Sequence, residues 1–468
     1  MTVQHDEPAP AAPPAPPERA GEGPGPLARL RDAAFPQAPE LPRPRWRWAA
    51  WLAFLAGAAL YQAFRTPGVG AFDTVWAEDG ANFLNDAVNE GPIEAITRSV
   101  NGYFHLYPRL LAEITTLFPV SWWAVVNTSL AIASTCAMAA IVYQASAAHL
   151  RRPVLRLLVA APVALQWVAN GEAVNSVATL QFCSLYTAFW LLVYVPKGRL
   201  GRIGGPIVVA TAALSTILAL ALVPLALLRV ALRRDRNSLW LAAAVVGAVL
   251  VQGLGLATGQ ASRSGIGETR LDPAWVVNRY RIIQVPTTFL GEKVVPTLDR
   301  NPELVLLGWA VLLAALAFAF WKALRPAWVL AGLAFALSVG LFAEEIVAMG
   351  KVPYRYLVAP AALLVTAAVA LLRPRDAAPP GDGDPAGRPR LVAYAPVAAL
   401  LVLLVSVALV NYRVPHKTRT PFTPSWTAQV SQRAAECRAD PGLASVIVLS
   451  GPERMPYGKV NVPCGRLR

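Results

Sequence analysis

Charged residues are scarce in this chain: they make up 15% of its 468 residues, whereas 55% are hydrophobic. A soluble globular domain carries about a quarter charged residues. Here the apolar residues lie in long blocks instead of alternating with polar ones, and the mean hydropathy is +0.45. The composition therefore excludes an ordinary soluble enzyme and predicts an all-α polytopic membrane protein.

The sequence also lacks two common phosphate-binding signatures. It has no GxxxxGK[ST] segment, and no GxGxxG segment follows a predicted strand. Because those loops cradle nucleotide phosphates, their absence argues against a soluble nucleotide-sugar as substrate. The net charge of +14 is carried largely by short basic runs between apolar blocks, where such runs set membrane topology. We therefore expect membrane lipids, and no nucleic acid, as the anionic partner.

Eleven apolar blocks are separated by polar or basic segments. Their ranges are 48–64, 104–118, 121–148, 153–168, 180–196, 204–230, 238–257, 304–321, 326–343, 354–373 and 391–410. The blocks 121–148 and 204–230 span roughly 27 residues each, more than the ~20 that one crossing helix needs. We predict that each forms two short helices, which gives a bundle of about 13.

The two ends of the chain differ from this apolar middle, residues 46–410. Residues 1–45 are rich in proline and alanine, which predicts a disordered cytoplasmic tail and no signal peptide. The basic residues just before the first block place the N-terminus in the cytoplasm and, with 13 helices, the C-terminus outside. Residues 411–468 form a small polar segment with one predicted buried strand, 445–449.

Two of the four cysteines, Cys437 and Cys464, lie in this C-terminal segment. If the segment lies outside, in an oxidising compartment, we expect them to form a disulfide. If it lies inside, they should stay reduced. A zinc site is the weaker alternative, because only His416 is available as a further ligand.

Two adjacent carboxylates, Glu78 and Asp79, lie in the loop after the first block, within the sequence WAEDG. A carboxylate pair held beside a membrane is costly unless it has a function. The alternative is that both are solvated loop residues that balance Arg65 and Arg98. The polar and aromatic run that follows favours a functional site, and it contains Asn82, Tyr103, His105, Tyr107 and Arg109.

Further polar groups fall near the same predicted membrane surface. They are Asn170, Glu172, Asn175 and Gln181 between two blocks, Glu344 and Glu345 at the end of another, and Lys351, Tyr354, Arg355 and Tyr356 at the start of the next. Solvated turns with helix caps, or salt bridges beside interfacial tyrosines, would also account for them. The loop 258–303 adds arginines suited to phosphate, among them Arg263 and Arg270.

Together these features resemble the GT-C superfamily of integral-membrane glycosyltransferases, in a bacterial branch. The resemblance covers about residues 46–410 and rests on WAEDG followed by GYFHLYPRL, on NGEAVNSVATLQF and on PYRYLVAP. It implies a GT-C-like bundle with a large first extracytoplasmic loop in the bacterial plasma membrane. It also implies sugar transfer from a polyprenyl-phosphate donor to an envelope glycan, lipid or protein.

The resemblance also implies residue roles. An acid of the first outer loop acts as general base in many members, which points to Asp79 or Glu78; Gly80, which gives the backbone freedom, favours Asp79. The donor phosphate and substrate would contact Arg109, His105, Tyr103, Arg355, Tyr354, Tyr356, Glu172, Asn175, Lys351, Arg263 and Arg270. His105 could donate to the phosphate or only cap a helix.

Two questions stay open at this point. Some GT-C members hold a divalent metal, for which the candidate ligands here are Glu78, Asp79, Asp73 and Glu172; they lack a spacing signature, so we predict no metal. The competing function is a lipid or lipid-linked sugar transporter. A transporter is expected to show two related halves, and the sequence shows no internal repeat.

Overall fold

The computed structural model describes residues 25–37, 45–258, 269–375, 391–413, 423–451 and 458–468. Within these ranges the chain is mainly α-helical, with two small antiparallel sheets. Helices suit the apolar blocks because each backbone N–H and C=O is then paired inside its own segment, without water.

The helices and strands follow one another in a simple order. From the start to the first small sheet they are α1 (Pro26–Ala34), α2 (Arg45–Ala63), α3 (Asn85–Asn89), α4 (Pro92–Thr97), β1 (Ser99–Val100) and β2 (Tyr103–Phe104). The middle contains α5 (Leu106–Thr116), α6 (Trp123–Ala145), α7 (Pro153–Leu165), α8 (Asn170–Ala173), α9 (Leu180–Val193), α10 (Arg199–Ala213), α11 (Val223–Arg233) and α12 (Arg236–Ala257). The rest comprises α13 (Pro273–Arg279), α14 (Val285–Leu290), α15 (Pro302–Phe318), α16 (Trp328–Met349), α17 (Val358–Leu371), α18 (Ala395–Val410), α19 (Trp426–Ala439), β3 (Ser445–Leu449) and β4 (Lys459–Pro463).

Five helical segments among the described residues are long and apolar enough to cross a membrane. They are Val120–Ala148, Arg236–Ala257, Trp328–Met349, Tyr354–Leu371 and Val392–Val410. Shorter apolar helices accompany them at Ala49–Ala63, Pro153–Leu165, Leu180–Val193 and Pro302–Phe318. The chain is therefore a helical membrane protein, as its composition predicts.

The bundle has two ends that its hydrogen bonds define. At one, which we call the α1 end, His149 contacts the carbonyl of Ala34 at 3.2 Å, and Arg233 donates to the carbonyl of Phe35. Arg373 donates to the carbonyl of His149 at the same end. The connections α6–α7, α11–α12 and the segment after α17 therefore meet here.

The opposite end, which we call the loop end, contains the loop between α2 and α5. Arg65 begins this loop and donates to the carbonyls of Leu165, Gln166, Asn411 and Tyr412. Other hydrogen bonds at this end join Phe104 to Gln252, Leu106 to Leu214, Gly171 to Glu292, and Arg270 to Val347.

The predicted count of about 13 membrane helices is not confirmed, and the structure departs from it at two blocks. Block 104–118 does not cross the bundle, because α5 begins beside Leu214 and ends where Arg466 donates to the Thr116 carbonyl, both at the loop end. Block 121–148 forms one uninterrupted helix, α6, since it contains neither proline nor glycine. Helix α1 and the C-terminal segment lie at opposite ends of the bundle, and which end faces the cytoplasm stays a prediction.

The predicted break in block 204–230 is confirmed. Helix α10 ends at Ala213, and the chain reverses before a 3₁₀ segment, Ile217–Leu222, that leads into α11. Thr216 caps this segment by accepting a hydrogen bond from the N–H of Leu218. The cap satisfies a backbone donor that the start of a helix leaves unpaired.

The prediction that residues 1–45 are disordered is wrong for residues 25–37. This part contains α1, and Phe35 after it is 1% exposed. The guanidinium of Arg229 lies 5.6 Å from the centre of the Phe35 ring. Burial of this aromatic side chain stabilises the segment, although its overall composition is rich in proline. Residues 1–24 and 38–44 lie outside the described residues.

The C-terminal segment is a small unit at the loop end. Strand β3 coincides with the predicted strand and pairs antiparallel with β4, whose alternating valines share its buried face. Helix α19 packs against β3. The predicted disulfide is confirmed: Cys437 of α19 is bonded to Cys464, just after β4.

This unit docks directly on the WAEDG loop. The N–H of Ala77 donates to the carbonyl of Ser450 at 2.6 Å, and Gly80 lies against the Ser450 side chain. A Cβ atom at Gly80 would overlap the Cβ and Oγ atoms of Ser450. Gly80 is therefore needed for this close approach, a reason separate from the backbone freedom expected of it.

Gly80→Ala is expected to loosen this contact and to destabilise the protein by about 1–3 kcal/mol, the usual cost of overpacking. The measurement is the thermal unfolding midpoint in lipid nanodiscs. The matched control is Gly57→Ala in α2, where an added Cβ meets open space. Equal midpoints for the two variants would show that Ser450 moves aside without cost.

Candidate functional site

The WAEDG loop directs its two carboxylates into different surroundings. Ala77 has a φ of 42°, a left-handed conformation that costs an alanine about 1 kcal/mol. A π-helical turn, Asp79–Leu84, follows immediately. Strained residues and π-helical turns occur often at functional sites. Glu78 stands between the two irregularities.

The carboxylate of Asp79 is completely buried, with 0% exposure. Its Oδ1 atom accepts hydrogen bonds from the Ser176 hydroxyl (2.9 Å) and from the N–H of Ala178 (2.8 Å). Its Oδ2 atom accepts from the Asn127 side chain and from the N–H of Val177, both at 3.1 Å. A carboxylate offers about four acceptor sites. The protein itself fills them, so Asp79 joins the first loop to α6 and to the segment before α9.

Glu78, in contrast, is partly accessible and faces a cation. Its side chain is 30% exposed, and its Oε1 atom lies 3.7 Å from Nη2 of Arg355. The Nη1 atom of the same guanidinium lies 3.7 Å from Oε2 of Glu172. We call these three residues the Arg355 cluster. Both separations are longer than a good hydrogen bond, so the forked donors of Arg355 are held loosely between two carboxylates.

Aromatic residues surround the Arg355 cluster. The ring of Tyr356 lies 5.6 Å from the Arg355 guanidinium and meets Phe182 edge-on. The hydroxyl of Tyr103 accepts a hydrogen bond from Gln181 at 3.3 Å. Burial raises the pKa of Tyr103 well above its ordinary value. This hydroxyl therefore stays protonated at neutral pH and remains able to donate.

His105 lies behind Tyr103. The rings of His105 and Tyr103 stack with 4.1 Å between their centres. The Phe83 ring also contacts His105, with 5.4 Å between the two ring centres. Burial, with the nearby charge of Arg109, lowers the pKa of His105 to about 3. The imidazole is therefore neutral at neutral pH. His105 is the N-cap residue just before α5 but makes no side-chain cap hydrogen bond, so the capping role considered for it is wrong.

Arg109 is buried, with an exposure of 2%, and its partner is an acid that the sequence did not single out. Its Nη1 atom donates to Asp86 at 3.0 Å, and its guanidinium lies 5.3 Å from the centre of the Phe83 ring. Arg98 approaches the other oxygen of Asp86 at 3.7 Å. Arg109 thus belongs to a second charged group, centred on Asp86.

The remaining predicted residues have mixed positions. Tyr354 lies within electrostatic reach of Glu172, whereas Asn175 is buried and donates to the carbonyl of Gln62 at 2.9 Å. Lys351 is exposed. Arg270 pairs with its neighbour Asp272, and its guanidinium lies over the Trp275 ring. Neither of these contacts involves a residue of the Arg355 cluster. Arg263 lies outside the described residues.

Sequence reasoning missed several residues that hold the site together. Asn127 and Ser176 bind Asp79 across 48 and 97 positions of sequence, and Asp86 binds Arg109. Glu292 is buried and accepts from the N–H of Gly171 at 3.2 Å. Burial raises the pKa of Glu292 to about 7. Of these residues, only Ser176 could have been found from the sequence, because it lies in the polar run NGEAVNSVATLQF.

The candidate metal ligands do not fit a metal ion. Asp79 is saturated by protein donors, and Glu78 and Glu172 flank the positive charge of Arg355. Asp73 accepts from the hydroxyl of Ser425 and from the N–H of Thr427 at the start of α19. Within the described residues no group of three or more His, Cys, Asp or Glu side chains is placed to hold a metal.

Comparison with known proteins gives one point of reference. No family model matches the chain, and a search of curated proteins gives no match. Among solved structures, the crystal structure of ArnT from Cupriavidus metallidurans bound to undecaprenyl phosphate is similar. The identity is 14% and the TM-score 0.43, over 91% of this chain and 85% of that chain.

Proposed function

We propose that the protein is a glycosyltransferase that moves a sugar from a polyprenyl-phosphate donor to a hydroxyl group of an acceptor at the membrane surface. The observation that supports this most is the pairing of Glu78 with Arg355 in a partly open cluster, each side chain about 30% exposed. A base and a phosphate-binding cation are the two groups that this reaction requires.

The position of Arg355 favours a lipid phosphate. Arg355 is the second residue of the candidate span Tyr354–Leu371, so its guanidinium lies where the span meets the membrane surface. The phosphate of a polyprenyl lipid lies at the same depth, because its hydrocarbon chain stays in the bilayer. A guanidinium fork matches two phosphate oxygens and binds them more firmly than carboxylates 3.7 Å away.

The reaction balances with these two side chains. Glu78 takes the proton of the acceptor hydroxyl while the acceptor oxygen forms a bond to the anomeric carbon of the sugar. The bond between that carbon and the phosphate oxygen breaks, and the polyprenyl phosphate leaves with the electron pair. Arg355 stabilises the charge that develops on the phosphate. The proton on Glu78 then passes to water.

In this proposal Asp79 is a positioning residue. Its carboxylate fixes the loop through Ser176, Val177 and Ala178, so that Glu78 faces Arg355. Preorganisation of this kind matters because a catalytic group must be held close to its productive position. We infer further that the loop end faces the outside of the plasma membrane and the α1 end the cytoplasm, as the basic runs predict.

Arg355→Gln is expected to lower donor turnover by about 100-fold, the usual effect of losing one donor to a developing oxyanion. The measurement is release of polyprenyl phosphate from a radiolabelled polyprenyl-phosphate sugar in proteoliposomes. Arg270→Gln removes an equal charge at the same end of the bundle without touching the cluster, and it serves as the matched control. Equal turnover in both variants would remove Arg355 from the site, and no turnover by the unaltered protein would count against the proposed function.

A further inference from the structure

A cavity lies between the first loop and the loop-end parts of α10 and α12. Its volume is about 1170 Å³. The lining contains three side-chain amides, Asn82, Asn85 and Asn101, and the Oδ1 atom of Asn85 already accepts a hydrogen bond from the N–H of Asn461. The lining also contains the apolar side chains of Leu106, Leu214 and Val251, which we call the apolar wall. We call this cavity the amide groove.

The apolar wall continues onto the membrane-facing surface of the bundle. Val251 belongs to the candidate span Arg236–Ala257 and is 44% exposed, and Leu250 and Leu254 beside it are more than 60% exposed. In a span, such side chains face lipid hydrocarbon. A molecule whose hydrocarbon chain lies in the bilayer can therefore extend its head into the groove without leaving the membrane.

The charges near the groove are largely compensated. Asp86 accepts from Arg109 at 3.0 Å and lies 3.7 Å from Arg98, which also pairs with Glu90. Glu94, on the rim, adds a further negative charge. A phosphate would therefore find no free excess of positive charge here. Side-chain amides both donate and accept hydrogen bonds, which is what the hydroxyl groups of a sugar or polyol require.

Strand β2 lies between one side of the groove and the Arg355 cluster. Consecutive residues of a strand point to opposite faces. Tyr103 bonds to Gln181 near the cluster, whereas the next residue, Phe104, lines the groove. On the loop side, Asn82 follows Glu78 by four positions through the π-helical turn. A head group that contacts Asn82 on this side therefore lies about one helical turn from Glu78.

We propose that the amide groove binds the acceptor, and that the acceptor is a membrane-embedded lipid with an uncharged, hydroxyl-rich head. This inference rests on the proposed transfer reaction and adds the substrate class that the Arg355 cluster leaves open. The apolar wall contacts the first carbons of the lipid's hydrocarbon chain. The side-chain amides orient the lipid head so that one of its hydroxyl groups reaches Glu78.

The test uses a photoreactive alkyl maltoside with a diazirine in its chain, applied to the full-length protein in nanodiscs. We expect cross-links to peptides of the β1–β2 hairpin and of α12. Unlabelled octyl maltoside below its critical micelle concentration should compete, whereas octyl phosphate at the same concentration should not. Competition by the phosphate alone would overturn the assignment, since the groove would then favour anions.

Two variants sharpen the test. Val251→Trp fills the apolar wall, and Asn82→Leu removes an amide; each should reduce cross-linking about tenfold, a loss of 1.4 kcal/mol in binding. Leu250→Trp, on the same helix but outside the groove lining, should retain the signal and shows that α12 tolerates a tryptophan. Release of polyprenyl phosphate is measured in parallel. Turnover without groove labelling overturns this inference alone, whereas labelling without turnover counts against the transferase proposal.

Discussion

Glu78→Gln is expected to lower the rate of sugar transfer by about 10²- to 10⁴-fold, the range for loss of a general base. The amide has nearly the shape of the carboxylate but cannot take a proton from an acceptor hydroxyl. Because Glu78 is partly exposed and its ion pair with Arg355 is long, we expect the thermal unfolding midpoint to change little. The measurement is single-turnover transfer from a radiolabelled polyprenyl-phosphate sugar in proteoliposomes, beside an unfolding scan.

The matched control is Glu172→Gln, which removes the other carboxylate beside the same arginine. Both variants alter the surroundings of Arg355 to a similar extent, but only one removes the proposed base. Transfer by both variants at the unaltered rate would show that neither carboxylate takes the proton. A large loss in both would instead indicate that the charge balance at Arg355, and not proton removal, limits the reaction.

Most of the apolar helices, one strand and the disulfide could be predicted from the sequence. Apolar blocks define most of the helices, because a run of about 20 such residues has few other stable environments. Strand Ser445–Leu449 and the Cys437–Cys464 disulfide were also predicted, since alternation and pairing of scarce cysteines are local signals. Helix α5 was misplaced because its composition matches a span, although its hydrogen bonds keep both of its ends at the loop end.

The sequence could not rank the two carboxylates. Glu78 and Asp79 are adjacent, and which of them is buried depends on the strained Ala77 and on partners as remote as Ser176. Gly80, which favoured Asp79 as the base in the sequence, is required in the structure by the close approach of Ser450. The pairing of Glu78 with Arg355, 277 positions away, is likewise a property of the folded bundle.

Asp79→Asn is expected to destabilise the protein by roughly 2–4 kcal/mol, since charge-assisted hydrogen bonds are lost and a new amide N–H₂ faces existing donors. An unfolding midpoint lower by roughly 5 °C or more in nanodiscs would report this loss. Transfer should fall as a consequence, because the segment that holds Glu78 loosens. The loss should therefore be partly reversed by conditions that stabilise the fold, such as lower temperature.

A double variant separates structure from chemistry at this position. The Asn127 side chain donates to Oδ2 of Asp79 at 3.1 Å, so Asp79→Asn combined with Asn127→Asp restores one carboxylate to the buried pair. We expect this exchange to recover part of the unfolding midpoint and, with it, part of the transfer rate. A base must stay on its own residue, whereas a structural charge can be supplied from the partner. If Asp79→Asn instead keeps the unaltered midpoint and the exchange restores no transfer, Asp79 is the base, and Glu78 serves only to hold Arg355.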